Sequence, residues 1–151
     1  MKRFRLLLLT ALAGMLLALS ACSKDDSSAA VPDPENTVEA WIPIGGWINF
    51  NNRALGMTDQ KVFRAGEIHQ LEFSRGVPKK GLGNITQIPT TSYSWWAEVV
   101  PGCGYVVHLV NDSFYGYTES WARLYVVDFT YNEAHATTGV TVKYELNWWP
   151  E

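Results

Sequence analysis

Val140, Val142, Tyr144 and Leu146 alternate with Thr141, Lys143 and Glu145. A period of two puts apolar side chains on one face of an extended strand and polar ones on the other. The pattern recurs along the chain. Residues 105–110 (YVVHLV) and 121–129 (WARLYVVDF) are rich in β-branched and aromatic side chains and read as central strands. Weaker candidates lie at 46–50, 61–64, 67–74 and 93–100. Turn signals separate them: Asn51-Asn52, Ala65-Gly66, Arg75-Gly76, Pro101-Gly102 and Thr138-Gly139. After residue 37 no stretch carries the i, i+3, i+4 apolar stripe of a helix, and no internal repeat is visible. The pattern predicts an all-β domain, an antiparallel β-sandwich or small barrel of about seven or eight short strands. Within it, Ala65-Gly66 is expected to close a hairpin between 61–64 and 67–74.

A domain of this kind needs a core, and rings supply it. The chain has 7 Trp, 7 Tyr and 6 Phe, all but Phe4 from residue 37 onward, and each buries a large apolar area when interior. Lys and Arg number 12 against 15 Asp and Glu. Beyond the N-terminal segment only Lys79-Lys80 stand together, so the electrostatic footprint of a nucleic-acid partner is missing. The two cysteines are Cys22 and Cys103.

The N-terminus follows different rules. Lys2, Arg3 and Arg5 precede an apolar run, Leu6 to Leu19, that is shorter than the about 20 residues a helical span needs and ends in small residues. This is the pattern of a secretory signal peptide. Leu19-Ser20-Ala21-Cys22 resembles the lipobox of bacterial lipoproteins. That resemblance implies cleavage after residue 21 and a fatty, palmitate-type modification of Cys22, where two or more acyl chains give stable anchoring. With Cys22 lipidated, Cys103 has no intrachain disulfide partner. Ser23-Lys24-Asp25-Asp26 resembles the short acidic export signal of Bacteroidetes surface lipoproteins, implying display on the outer face of the outer membrane; retention on its periplasmic face is the alternative. Residues 22–36, poor in large apolar groups and carrying two prolines, read as a flexible lipidated linker. Residues 37–151 form the single domain.

Motifs for chemistry are sparse. No HxH, HExxH or CxxC spacing assembles a metal site, and no GxSxG, GxxxxGK[ST] or GxGxxG motif is present. "GLGN" at 81–84 lacks a following helix to hold a phosphate. No metal and no cofactor is expected. Of the histidines, His69 shares a face with Glu67, Leu71 and Phe73, His108 shares one with Val106 and Val110, and His135 lies in the loop 131–138, where it is expected to be solvated. Cys103 in "PGCGY" belongs to a turn entering a strand. Five residues on, His108 would point to the opposite face. Asp128, on a central strand, needs a partner carboxylate for acid–base work, or else pairs with Arg123.

The aromatic residues are the remaining candidates. Trp95-Trp96, Trp148-Trp149, Trp121 and the loop 111–120 (NDSFYGYTES) concentrate rings. Neighbours on a strand face opposite ways, so one ring of each pair should face outward. Exposed rings stack on sugars or on partner proteins, which makes Trp95, Trp96, Trp121, Trp148 and Trp149 the candidate ligand-binding residues; the bland alternative is that they are core.

Four segments, Lys80-Gly81-Leu82-Gly83-Asn84-Ile85-Thr86-Gln87-Ile88-Pro89, Pro101-Gly102-Cys103-Gly104-Tyr105-Val106, Ala122-Arg123-Leu124-Tyr125-Val126-Val127-Asp128 and Gly139-Val140-Thr141-Val142-Lys143-Tyr144, resemble in order a family of Bacteroides secreted lipoproteins with a domain of unknown function. The resemblance covers about residues 75–147 and departs at Glu145 and Leu146, where the family has a Gln and a short Pro-Phe ending. It implies location and domain unity and carries no catalytic or binding residues. The sequence thus points to a surface-exposed lipoprotein, held at the membrane by its lipid, acting as a non-catalytic binding or accessory module for a glycan or another surface protein. A structural envelope module without a small ligand is the alternative, and a carboxylate-based hydrolase the third reading.

Overall fold

The computed structural model describes residues 29–67, 70–110, 116 and 118–151. The expected signal segment, Cys22, the acidic run after it, His69 and most of the 111–117 loop lie outside the described residues. Ten strands are present among the described residues: β1 (Val38–Pro43), β2 (Trp47–Phe50), β3 (Arg53–Met57), β4 (Val62–Ala65), β5 (Leu71–Phe73), β6 (Val77–Pro78), β7 (Trp96–Glu98), β8 (Cys103–Leu109), β9 (Ser120–Tyr131) and β10 (Thr137–Leu146). They form two antiparallel sheets. The first runs β1-β10-β9-β8-β5, with β6 also on β8; the second runs β2-β3-β4-β7. The fold is an all-β sandwich and not a closed barrel.

Alternation decides what the layers bury. From the first sheet, Tyr105, Val107, Leu109, Leu124, Val126, Val140 and Val142 point inward; from the second, Phe50, Leu55, Met57 and Phe63 do. The Phe63 ring meets Phe73 at 6.0 Å and Tyr105 edge-on at 5.8 Å across the interface. Tyr105 is wholly buried, and its hydroxyl donates to the Glu98 carbonyl (2.6 Å) and accepts from the Val100 N–H (3.1 Å). That bond pins β7 of one sheet to β8 of the other. Buried Arg53 sends Nη2 to the carbonyls of Val110 (2.8 Å) and Thr118 (3.2 Å), holding both ends of the β8–β9 connection. The long β9–β10 pair is bent by two register irregularities, at Thr137/Gly139 and Thr141/Val142.

Two sequence expectations give way. The hairpin across Ala65-Gly66 does not form: β4 pairs with β3 and β7, while β5 pairs with β8 in the other sheet. The chain crosses between layers there, and the strand expected over 67–74 shrinks to Leu71–Phe73. Gly66 instead gives its N–H to the Ala54 carbonyl at 2.8 Å. The second correction is the count, since β1 and β3 are full strands in segments without a strand pattern in the sequence.

The outer face of the first sheet is covered. Leu82, Ile85, Val106 and Trp148 form a second buried cluster there, joined by Ile88, Tyr93, Trp121 and Tyr125. Residues 29–34, assigned above to the linker, lie against this layer. Asn84 clasps them, donating Nδ2 to the Ala29 carbonyl (2.8 Å) and accepting from the Val31 N–H at Oδ1 (3.1 Å). Gly83 sits so close under the Pro32 carbonyl that a β-carbon there would collide with it. Asp33 receives Lys143 Nζ at 2.7 Å. The "GLGN" loop, a single 3₁₀ turn at Leu82–Asn84, therefore holds an acidic group of its own chain.

The hydrogen bond from Lys143 is the main cause that lowers the Asp33 pKa below its ordinary 3.8, helped by the backbone N–H groups of Gly83 and Leu82 and opposed by partial burial. The same bond raises Lys143 above 10.5. A depressed carboxylate contributes above its unfolded value and loses that contribution as pH falls through the folded one; a raised lysine contributes below its unfolded value and loses it as pH rises. The strap is thus held between about pH 4 and pH 10. Hydrogen exchange at Val31 is expected to accelerate as pH drops below 3.8, beyond the intrinsic trend, and Asp33→Asn abolishes that step.

Candidate functional site

Among the described residues nothing covers the outer face of the second sheet, and its register creates one feature. The two-residue turn Asn51-Asn52, with φ of 53° and 62°, closes β2 onto β3. Both angles lie in the left-handed region that asparagine tolerates and the favoured hairpin turn requires. The turn sets Phe50 opposite Arg53 and hence Trp47 opposite Gly56. Gly56 pairs in turn with Arg64, and Arg64 with Trp96. One transverse rung, Trp47–Gly56–Arg64–Trp96, therefore crosses all four strands with its side chains outward.

A β-carbon on Gly56 would collide with the Trp47 ring, so the indole lies down over the glycine backbone. The Arg64 guanidinium sits over that ring with Cζ 4.8 Å from its centroid, a cation–π contact. Trp47 is 41 % exposed and Trp96 60 %. Asn49 on β2, Ala54 on β3 and Glu98 on β7 flank the rung on the same face. Adjacent strands lie about 4.8 Å apart, so the two indoles are separated by about 14 Å at their backbones. The result is a shallow aromatic platform with a small-residue floor and hydrogen-bonding groups within it.

The tryptophans singled out in the sequence do not converge. Trp96 is on the platform, and Trp95 (39 % exposed) precedes it just before the strand begins. The other three lie on the far side of the sandwich. Trp148 is buried in the second cluster, its N–H bonded to the Trp121 carbonyl at 2.9 Å, so it is packing and not a stacking surface. Trp149 is exposed and borders a cleft of about 410 Å³ shared with Thr86, Arg123, Glu145 and Trp148. Arg123 in that cleft bonds Nε to Glu145 (2.6 Å) and Nη1 to the Ile85 carbonyl (2.7 Å), with Cζ 5.3 Å from the centroid of the Trp148 ring. Trp121 is half-buried beneath the stacked His108 ring, 4.4 Å away. Sequence reasoning missed Trp47 and Arg64. The tight Asn-Asn turn was a usable signal for the first, because it forces Trp47 opposite Gly56.

The remaining candidates sort as follows. His108 presents Nδ1 to Glu72 (2.8 Å) and Nε2 to Glu119 (2.9 Å), linking β5, β8 and the approach to β9. Both ring nitrogens are occupied, and the carboxylates lie on opposite edges of the ring. Nearby Tyr93 packs edge-on against Trp121, and burial first, then the Glu72 charge, raises its pKa. Cys103 is inward and buried, on the opposite face of β8 from His108. Asp128 is exposed and accepts only the N–H of Phe129, while Arg123 pairs with Glu145 instead. His135, at φ 58°, is exposed in the β9–β10 turn. Among the described residues no group of three His, Cys, Asp or Glu side chains converges on a metal position.

Fold and face together describe a two-sheet antiparallel sandwich with one layered outer surface and one bare aromatic surface. Comparison with known proteins adds no relative: no family model matches the chain, nor does any curated protein or solved structure.

Proposed function

We propose that this chain is a non-catalytic glycan-binding module displayed at a bacterial surface, with the Trp47–Arg64–Trp96 rung as its binding platform. The observation that carries the reading is the rung itself. The exposed Trp96 and the Trp47 indole capped by the Arg64 guanidinium share one rung of a sheet that the described residues leave uncovered, where an extended saccharide can lay the apolar face of a ring on Trp96 and its hydroxyls beside the guanidinium. Monomeric proteins rarely leave aromatic surface of this kind bare without a partner. The shallow shape fits an elongated polymer better than a small substrate, which enclosed pockets serve.

Anchoring belongs to the same proposal. A lipid on Cys22 ties the chain to the outer membrane, with the outer leaflet as its place of display. The strap at 29–34 reaches the domain on the outer side of the first sheet, the side away from the platform. A tether arriving there leaves the aromatic face turned from the bilayer.

In affinity electrophoresis against a panel of neutral and acidic polysaccharides, the full chain is retarded by at least one polymer. Trp47→Ala and Trp96→Ala each weaken that retention about tenfold, equivalent to about 1.4 kcal/mol. Their melting temperatures stay near wild type because both rings are exposed. Retention that survives both substitutions contradicts the reading. Expressed in a Gram-negative host, the chain incorporates radiolabelled palmitate and fractionates with membranes, and Cys22→Ser does neither; a Cys22→Ser protein that remains labelled overturns the anchor.

A further inference from the structure

Arg64 is the one cation of the platform, and its bonding is unusual for an arginine in the middle of a sheet. It is exposed and directly opposite both Gly56 and Trp96. Its guanidinium lies over the ring of Trp47. Glu98 lies outward on the neighbouring rung of β7, paired with Val62, yet it forms no ion pair with Arg64 among the described residues. The contact with the Trp47 ring uses none of the N–H donors of the guanidinium. Those five donors, in a rigid fork, stand on the rung beside the exposed Trp96.

Resting on the glycan-binding reading above, we infer that the platform selects saccharides that carry a carboxylate, the uronate-containing polymers. A pyranose ring on Trp96 carries an equatorial carboxylate outward in the plane of the sugar, within reach of the arginine that faces Trp96 across the strand pair. Guanidinium and carboxylate meet there through two parallel charge-assisted hydrogen bonds. A neutral sugar offers only hydroxyls to the same donors, and the fork's charge and geometry are then wasted. The backbones of Trp47 and Trp96 lie about 14 Å apart with Arg64 between them, so a chain laid along the rung meets the arginine in its interior and not at its end. Stacking supplies affinity for carbohydrate as such, and Arg64 supplies the choice among carbohydrates.

The test uses the full chain in detergent with polygalacturonate, alginate and hyaluronan as acidic probes, each beside its carboxyl-reduced form, and with laminarin and xylan as neutral ones. The expected result is binding to at least one acidic polymer, lost tenfold or more on carboxyl reduction and by a similar factor in Arg64→Gln. Arg75→Gln, an exposed arginine off the platform, leaves it unchanged. If Trp96→Ala abolishes binding while Arg64→Gln and carboxyl reduction leave it intact, the choice of uronates is wrong and the glycan platform stands. If Arg75→Gln weakens binding as much as Arg64→Gln does, the attraction is diffuse charge and the inference fails. Absence of retention by every polymer, acidic or neutral, removes the platform reading and this inference with it.

Discussion

The pairing register of the four-stranded sheet is the constraint on which the account depends. Side chains alternate with a period of two, so a slip of one residue would carry every inward group outward. Phe50, Leu55, Met57 and Phe63 are wholly or almost wholly buried, and their burial fixes which residues face the solvent. Each such side chain contributes about 1.5–3 kcal/mol by leaving water, so a slipped register would forfeit several kcal/mol at once. Trp47, Gly56, Arg64 and Trp96 are aligned because the core beneath them permits one register. The Tyr105 hydroxyl adds a second restraint, fastening β7, and with it Trp96, to the opposite sheet.

The two outer faces have been treated differently by the same chain. Over the first sheet, the 3₁₀ turn, the C-terminal Trp148 and the strap at 29–34 build a third layer, with its own buried cluster and with Arg123 and His108 hydrogen-bonded to groups of the same chain. Polar groups there are consumed internally, as burial requires. Over the second sheet the described residues build no such layer, and its arginine keeps its donors. The open edges between the sheets are laced as well: Phe73 and Ser94 exchange backbone bonds at one, and Gly45 donates to Met57 at the other. Such lacing blunts edges that would otherwise pair with a second chain. What is left available to a partner is chiefly the aromatic face.

Much of the fold could be read from the sequence because β8, β9 and β10 alternate cleanly. β3 could not. Its outward residues, Ala54 and Gly56, are small and non-polar, and its first inward residue is Arg53, so the polar and apolar roles are inverted and no alternation appears. The misplaced hairpin at Ala65-Gly66 has a similar cause: a glycine-marked turn gives no sign of whether the chain returns to its own sheet or crosses to the other. For the platform, the Asn-Asn turn made the Trp47–Gly56 half legible. The Arg64 and Trp96 half depends on β3–β4 and β4–β7 registers that arise from packing between residues distant in the chain. Adjacent tryptophans misled because Trp148 and Trp149 lie beyond the end of β10, where the chain folds back under Trp121. The docking of 29–34 was hidden because a polar, proline-bearing segment reads as a tether, whereas its hold comes from Asn84 and Lys143, both remote in sequence.

The central claim is that ligand contact falls on the bare sheet and nowhere else. Titrating the ¹⁵N-labelled protein with an oligosaccharide of the polymer that retards it, and following the seven indole N–H resonances, addresses this directly. The account predicts that the Trp47 and Trp96 signals move together and saturate at one concentration while those of Trp121 and Trp148 stay fixed. Movement of Trp121, Trp148 or Trp149 with the Trp47 and Trp96 signals silent would place the ligand on the layered face and contradict it.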